Sequence, residues 1–325
     1  MKLKCIIKSA FARFRLSFGK TTPLRVTHFI TYRCNLKCRF CILPENLPEL
    51  ATDEIKNKML MLKKMGTLAW GFSGGEPFLR NDLPELLRYA KNKCGFLTSV
   101  VTNGTLTEKI SEVDGKHLDF LMLSIEGSKE KNDTIRGRGT FDRVINTLQI
   151  IKPKGIKTVS FDCVVLHDNL DEIKFIIDLA EEYGIFCGFQ PVFEPSTGKE
   201  DNATVTDGKK TAALKENIKY LIRQIEQAKN RRIMTSAHFL RYCLNYGTKN
   251  FKRNRCYAGL LYCQMEPSGI IRNCAWYGKD SVDDFKHLDK PADECYCFAK
   301  CHGEYSSVFS FNLSSIRNVI QKFIY

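Results

Sequence analysis

Residues 25–41, RVTHFITYRCNLKCRFC, join a β-strand pattern directly to three closely spaced cysteines. The first seven residues are rich in β-branched and aromatic side chains and predict a buried strand. Cys34, Cys38 and Cys41 follow with the spacing CxxxCxxC. In a parallel sheet, the loop after a strand lies at the edge where ligands and catalytic groups gather. The segment therefore predicts an α/β fold with a thiol or metal site at the end of its first strand.

The same alternation of strand and helix continues along the chain. After 25–31, the predicted strands are 68–74, 96–103, 118–125, 157–166 and 185–193. The predicted helices are 52–65, 82–93, 106–116, 140–152 and 170–183. Thr52 is the predicted N-cap of the first helix. Six strands with intervening helices predict parallel pairing and right-handed crossovers, in a partial (β/α)6 TIM-like barrel.

Composition divides the chain into three predicted regions. Residues 1–24 form a basic N-terminal arm, residues 25–240 the partial barrel, and residues 241–325 a small Cys-rich extension. Residues 194–210 contain almost no apolar side chain and predict a loop, with a helix over 211–230 after it. The stretch EPSGIIRNC, 266–274, predicts a small β-hairpin that turns at Ser-Gly.

The cysteines indicate metal ligands rather than disulfides. No signal peptide and no membrane-spanning apolar stretch is recognisable, so we expect a cytoplasmic protein. Of the 14 cysteines, three fall in 34–41 and six in 256–301. In a reducing compartment, such clusters are typical of metal sites or catalytic thiols, whereas the scattered cysteines are expected to be small buried hydrophobes.

The charge balance is basic, with 50 Lys and Arg against 36 Asp and Glu. Residues 1–44 contain ten Lys or Arg and no acidic residue. This composition suits an anionic membrane surface, nucleic acid or an acidic substrate, and equally a solvated basic arm. An amphipathic surface segment is indicated, because Phe11, Phe14, Leu16 and Phe18 interleave with Arg13 and Arg15. No nucleic-acid-binding module is recognisable, so the charge alone is weak support for such a partner.

Three thiolates on one short loop can hold three corners of a cubane iron–sulfur cluster. No fourth cysteine lies nearby, so the fourth iron would be open to another ligand. A structural zinc site is the alternative, although such sites normally use four protein ligands. Unrelated free thiols are a second alternative.

The cysteine loop, with the aromatic Phe40 before its last cysteine, resembles the cluster loop of the radical S-adenosylmethionine (SAM) superfamily. SGGEP, 73–77, is similar to the GGE motif of that family. VTNG, 101–104, and LSIEG, 123–127, resemble two further motifs, the second of which is usually SxDG. These motifs follow successive predicted strands in the family's order, and the resemblance covers roughly residues 25–193.

The resemblance implies a [4Fe-4S] cluster on Cys34, Cys38 and Cys41, whose open iron chelates SAM. It implies SAM-binding roles for Gly74, Gly75, Glu76, Asn103, Ser124, Glu126 and Arg136. Glu76 suits the amino group of SAM, and Arg136 suits its carboxylate. Glu126 stands where the family has Asp, so its reach differs by one methylene. Read alone, GGE is a tight turn and Arg136 a surface residue, and both alternatives stay open.

Cys256, Gly269 and Cys274 resemble the opening of the SPASM/Twitch extensions of radical SAM enzymes. The six C-terminal cysteines are fewer than a complete SPASM domain needs. The resemblance therefore implies one auxiliary [4Fe-4S] cluster, with Cys263 and Cys295 as alternate ligands. The expected ligands are Cys256, Cys274, Cys297 and Cys301. A structural zinc site on four cysteines is the alternative.

The implied activity is reductive cleavage of SAM to a 5′-deoxyadenosyl radical, which abstracts hydrogen from a substrate. An electron donor such as flavodoxin or ferredoxin is expected. Peptide modification or maturation is the favoured reaction, and a lipid, sugar, nucleotide or RNA substrate is the alternative. A structural zinc or iron–sulfur protein without activity is the rival from another class. No individual catalytic residue is assigned.

Overall fold

The computed structural model describes residues 11, 12, 14–41, 48–191, 208–227, 232–245 and 257–273. The described strands are β1 (Arg25–Thr31), β2 (Ala69–Gly74), β3 (Leu97–Thr102), β4 (Phe120–Ser124), β5 (Thr158–Val165), β6 (Phe186–Pro191), β7 (Tyr262–Met265) and β8 (Ile271–Arg272). The described α-helices are α1 (Thr52–Met65), α2 (Leu83–Arg88), α3 (Thr107–Ser111), α4 (Lys129–Arg136), α5 (Thr140–Ile151), α6 (Leu170–Glu182), α7 (Gly208–Glu226) and α8 (Ala237–Asn245).

The strand order confirms the predicted fold class. The sheet runs β6-β5-β4-β3-β2-β1-β7-β8, so the six predicted strands lie side by side in chain order. β1 pairs in parallel with β2, β2 with β3, β3 with β4, and β5 with β6. Consecutive parallel strands joined by helices are the arrangement of a partial (β/α) barrel. The predicted C-terminal hairpin is also confirmed, as the antiparallel pair β7–β8.

A feature that the sequence did not predict is the position of β7. This strand pairs in parallel with β1, on the side of β1 opposite to β2. Gly269 has φ +83, in the left-handed region that glycine adopts readily, and it lies in the turn between β7 and β8. Part of the Cys-rich extension therefore continues the sheet that carries the N-terminal cysteine loop.

Helix α1 has the predicted bounds but not the predicted cap. The N-cap is Ala51, whose N–H donates to the carboxylate of Glu54 at 2.7 Å. The Thr52 hydroxyl instead donates to Asp82 Oδ2 at 2.7 Å, so the prediction that Thr52 caps this helix is wrong. Gly66, with φ 109, ends the helix.

Two predicted helices are shorter than expected. The helix predicted over 82–93 is α2, followed by a wider π-helical turn over Tyr89–Lys93. The helix predicted over 106–116 ends as α3 at Ser111. Asp114 explains the second ending, because its side chain accepts from the N–H of Lys116 and begins a separate 3₁₀ turn.

The chain divides into two compact units. The first comprises 1–124, 136–159 and 257–295, and its core includes the stacked rings of Trp70 and Phe96 at 5.7 Å. The second comprises 125–135, 160–256 and 296–325. In the second unit, residues 232–234 pair alongside β6, because residues 232 and 234 form backbone hydrogen bonds with Cys187. The domain boundary near residue 240 stays a prediction.

The predicted loop 194–210 lies largely outside the described residues, and α7 begins at Gly208, three residues before the predicted start. None of the described helices is long and apolar enough to cross a membrane.

Candidate functional site

The three cysteines of the N-terminal loop lie directly beyond the end of β1. The N–H of Cys41 donates to the carbonyl of Cys38 at 3.0 Å, which turns the chain back on itself. The N–H of Leu36 lies 3.4 Å from Cys34 Sγ. The loop thus begins at the carboxyl edge of the sheet, as the sequence predicts.

The GGE segment holds the start of this loop. The N–H of Gly75 donates to the carbonyl of Thr31 at 2.8 Å, and the N–H of Glu76 donates to the carbonyl of Arg33 at 2.9 Å. A Cβ atom on Gly74 would lie 2.1 Å from the Thr31 carbonyl oxygen, and one on Gly75 would lie 2.1 Å from that of Arg33. Glycine is therefore required at both positions for the two backbones to approach.

Glu76 is a fully buried carboxylate at the centre of this edge. It accepts hydrogen bonds from Thr102 Oγ1 at 2.8 Å, the N–H of Asn103 at 2.8 Å and the N–H of Phe78 at 3.0 Å. Burial raises the pKa of Glu76 to about 7, against the opposing effects of these donors and of Arg136. The side chain thereby joins the ends of β2 and β3.

Asn103 connects the third strand to the cysteine loop. Its Nδ2 lies 2.9 Å from Asn35 Oδ1 and 3.8 Å from Cys34 Sγ. Asn35 in turn donates to Thr105 Oγ1 at 2.9 Å, and both the N–H and the hydroxyl of Thr105 donate to Asn103 Oδ1. The sequence predicted Asn103 but missed Asn35 and Thr105, for which the only signal was their position beside the motifs.

Arg136, at the end of α4, reaches the same loop. Its Nη1 lies 3.8 Å from Cys38 Sγ, and its Cζ lies 5.6 Å from the centroid of the Phe40 ring. The residue is only 9% exposed, so the alternative of a surface arginine is wrong. A guanidinium over an aromatic face is a favourable cation–π contact, which holds the plane of the guanidinium group in place.

Glu49 closes the base of the loop, although no sequence motif pointed to it. Its Oε1 accepts from Thr31 Oγ1 at 2.5 Å and from Arg33 Nε at 2.9 Å. Its Oε2 accepts from Arg33 Nη2 at 3.1 Å and from Arg80 Nη1 at 3.5 Å. Arg80 also donates to the carbonyl of Leu50 at 2.9 Å. The chain before Cys34 is therefore tied to the chain after Cys41.

The donor chemistry of the loop fits an iron–sulfur cluster, because cysteine side chains are the ligands that such clusters use and the loop carries three of them. Partial burial raises the pKa of the Cys34 thiol, while hydrogen bonds from Leu36 and Asn103 lower it. Across the described part of the chain, no group of three Cys, His, Asp or Glu side chains is already gathered to hold a metal ion. The three thiols lie one after another along the loop.

Two predicted SAM contacts, Ser124 and Glu126, lie at the end of β4 and just beyond it. Ser124 is the half-buried last residue of β4, in the first unit. Glu126, in the second unit, is fully buried and accepts from the N–H of Val164 at 2.9 Å. Its own N–H donates to Asn132 Oδ1 at 3.0 Å. Their roles toward SAM, like those of the other predicted residues, stay predictions.

The predicted auxiliary ligands Cys256, Cys274, Cys297 and Cys301 lie outside the described residues, as does the alternate Cys295. The alternate Cys263 is described. It lies on β7 with 1% of its surface exposed, and burial raises the pKa of its thiol. The described residues that adjoin the predicted ligands are Tyr257 and Asn273, and both are buried.

Comparison with known proteins finds one matching family model and one partial relative. Residues 29–180 match the model of the Radical SAM superfamily. Over 190 residues the chain is 38% identical to the Fe-coproporphyrin III synthase of Methanosarcina barkeri (strain Fusaro / DSM 804). That match covers 55% of this chain and 46% of the relative, so the chain aligns with less than half of that protein.

Solved structures share the fold at low identity. Streptococcus suis SuiB bound to S-adenosylmethionine has a TM-score of 0.65 and 21% identity, over 82% of this chain and 64% of SuiB. Native anSMEcpe with bound AdoMet has a TM-score of 0.63 and 20% identity, over 82% of this chain and 78% of that one.

Proposed function

We propose that the protein is an enzyme that cleaves SAM reductively, because residues 29–180 match the model of the Radical SAM superfamily. The observation that carries the proposal is the loop of Cys34, Cys38 and Cys41 at the carboxyl edge of the sheet. Two buried side chains, Asn103 and Arg136, direct N–H groups toward the sulfur atoms of Cys34 and Cys38.

The three thiols would hold the cluster, and their neighbours would stabilise the thiolates. Hydrogen-bond donors and a fixed positive charge near sulfur favour the ionised form that binds iron. When bound, a [4Fe-4S] cluster would supply one electron to SAM, and the resulting 5′-deoxyadenosyl radical would take hydrogen from the substrate. The chain itself positions the ligands.

The same edge offers groups for the polar parts of SAM. Gly74 and Gly75 bring the backbone of this segment close to the loop, and Glu76 provides a carboxylate for an ammonium group. Glu76 already accepts three hydrogen bonds from the protein, so its remaining acceptor positions are those left for a ligand. Arg136 is the group for a carboxylate and Ser124 a group for the ribose. Glu126, in the second unit, is proposed for the ribose from its motif alone.

The proposal has three further parts. They are an electron donor such as flavodoxin or ferredoxin, a cytoplasmic location, and an auxiliary [4Fe-4S] cluster on the C-terminal cysteines. A peptide is the favoured substrate. The solved structures that share this fold include Streptococcus suis SuiB bound to the precursor peptide SuiA, which supports a peptide.

A second substrate class is favoured by one specific observation. The relative that is 38% identical over 190 residues is named Fe-coproporphyrin III synthase, so a porphyrin-like precursor of such a product is the second candidate substrate. Anaerobic turnover with deuterium-labelled peptide or porphyrin distinguishes the two, because only the true substrate transfers deuterium to the released deoxyadenosine.

Replacement of single thiols tests the cluster assignment. Cys34→Ser, Cys38→Ser and Cys41→Ser are each expected to lose about four irons per chain after anaerobic reconstitution, and to stop releasing deoxyadenosine under dithionite. Cys94→Ala is the matched control, because Cys94 is a buried thiol of the same unit outside the loop. Circular dichroism shows whether each variant folds. A folded Cys38→Ser protein with full iron and full SAM cleavage would exclude the proposed cluster.

A further inference from the structure

The N-terminal turn, residues 11, 12 and 14–19, exposes three aromatic rings. Phe11, Phe14 and Phe18 are 59%, 60% and 67% exposed, more than any other large apolar side chain of the described residues. The rings of Phe14 and Phe18 touch edge to face at 5.1 Å. On the other side of the turn, Ala12 and Leu16 are buried. The turn is thus anchored to the protein by one apolar side and presents a second apolar side to solvent.

The turn is followed by a segment that is fixed at the edge of the sheet where the parallel strands begin. The N–H of Thr22 donates to the carbonyl of Leu260, and the N–H of Leu24 to that of Leu261. Thr67, in the connection that enters β2, donates its hydroxyl to the carbonyl of Pro23 at 2.7 Å. The N-terminal turn therefore enters β1 at the edge opposite to the cysteine loop.

Lysines crowd the connections at this same edge. The segments that lead into β2, β3, β4 and β5 are 63–68, 89–96, 112–119 and 152–157, and all lie in the first unit. Together they contain eight lysines and three acidic residues. One of the three acids, Asp119, is buried and paired with Lys91 and Lys157. The exposed lysines include Lys63, Lys64, Lys152 and Lys154.

We infer that the N-terminal turn and this lysine-rich edge form one docking face for the surface of an anionic lipid bilayer. Aromatic rings enter the boundary between headgroups and acyl chains, and lysines around them are attracted to anionic headgroups. A nucleic acid would engage the lysines alone, whereas three exposed rings match a partner with an apolar interior. The inference is independent of the proposed reaction, since the cysteine loop lies at the other edge of the sheet.

Sedimentation with vesicles tests the inference on the full-length, anaerobically purified protein. We expect binding to vesicles of phosphatidylcholine with about 30% phosphatidylserine, and much weaker binding to pure phosphatidylcholine. The variant Phe11→Ser/Phe14→Ser/Phe18→Ser is expected to lower the partition coefficient about tenfold or more. Lys63→Gln/Lys64→Gln/Lys152→Gln/Lys154→Gln is expected to remove the preference for anionic lipid. Release of deoxyadenosine is expected to be unchanged in both.

The matched control is Leu170→Ser, which removes an exposed apolar side chain at the start of α6, after β5 ends. Its vesicle binding is expected to equal that of the unaltered protein. Failure of the unaltered protein to bind anionic vesicles overturns the inference, as does undiminished binding by the triple Phe variant. Two further outcomes overturn it in favour of another occupant. In the first, the unaltered protein binds duplex RNA but not vesicles, and the lysine variant no longer binds the RNA. In the second, the unaltered protein is a dimer that does not bind vesicles, and the triple Phe variant is a monomer.

Discussion

Arg136 Nη1 lies 3.8 Å from the sulfur of Cys38, although 98 positions separate the two residues in the chain. The guanidinium also lies over the ring of Phe40, so the aromatic residue before the last cysteine holds the arginine in place. A positive charge beside a thiol favours the thiolate. The residue that the sequence predicted for the SAM carboxylate therefore also acts on a proposed cluster ligand.

Replacement of Arg136 by lysine is expected to weaken SAM binding about tenfold, because an ammonium keeps the charge but loses the planar fork. The measurement is anaerobic SAM titration followed by the electron paramagnetic resonance spectrum of the reduced cluster. Arg138→Lys is the control, since Arg138 lies two positions away and is exposed. Equal SAM affinity in the two variants would contradict the role of Arg136.

Gly75→Ala is expected to release iron from the N-terminal loop. The added methyl would lie 2.1 Å from the Arg33 carbonyl oxygen, so the segment that leads to Cys34 must move. Iron content after reconstitution measures the effect. The comparison is Gly155→Ala, which strains a left-handed position by about 1 kcal/mol but meets no atom within 4 Å. We expect Gly155→Ala to keep its iron, and a similar iron content in Gly75→Ala would refute the argument.

Glu49→Gln is expected to loosen the cysteine loop without unfolding the protein. The change leaves Arg33 and Arg80 with a neutral acceptor, and it presents amide hydrogens where the carboxylate accepted bonds. The expected result is a cluster that is lost several times faster to a chelator, with a midpoint of unfolding close to that of the parent. Glu85→Gln, which removes an ion pair with Lys56 between exposed groups, is the matched control. Chelator resistance equal to that of the control would argue against a positioning role for Glu49.

His28 makes the fold sensitive to acid. Its ring is fully buried, and neither ring nitrogen has a hydrogen-bond partner among the described residues. Burial and the nearby Arg80 lower the pKa of His28 from 6.5 to about 3, although Asp82 acts in the opposite direction. Between these two values the unfolded chain binds a proton that the folded chain does not. The free energy of unfolding therefore falls as the pH falls through this window, by up to about 1.4 kcal/mol per pH unit.

The variant His28→Phe lacks the titrating imidazole. A phenyl ring suits this site, because the site contacts the rings of Trp70 and Phe72. Urea unfolding of both proteins between about pH 5 and pH 7.5 isolates the contribution of the imidazole. The advantage of the Phe variant is expected to grow as the pH falls. A difference between the two proteins that is constant over this range would mean that His28 does not titrate as described.

Local patterns in the sequence predicted most of the sheet. The periodicity of 52–65 gave both bounds of α1, because its apolar residues and Gly66 agree on where the helix begins and ends. The cap was wrong by one residue, because Thr52 hydrogen-bonds to Asp82, thirty positions away. Such a partner is set by tertiary contact and has no local signal.

The site was predicted to the extent that its residues form contiguous motifs. Cys34, Gly75 and Asn103 were named as candidates because each lies at or shortly after the end of a predicted strand, in a recognisable motif. Glu49 and the contact of Arg136 with Cys38 could not be found, because they depend on how loops from different strands meet. The pairing of β7 with β1 was missed for the same reason, since more than two hundred residues separate them.

The place of β7 beside β1 also bears on shortened versions of the protein. A chain cut near residue 240 would lack β7, and the backbone N–H and C=O groups on that side of β1 would lose their partners. Strands left bare in this way recruit other chains and promote aggregation. If the barrel core were expressed alone and proved insoluble, the cause would be the unpaired edge of β1. That result would not count against the proposed chemistry of the core.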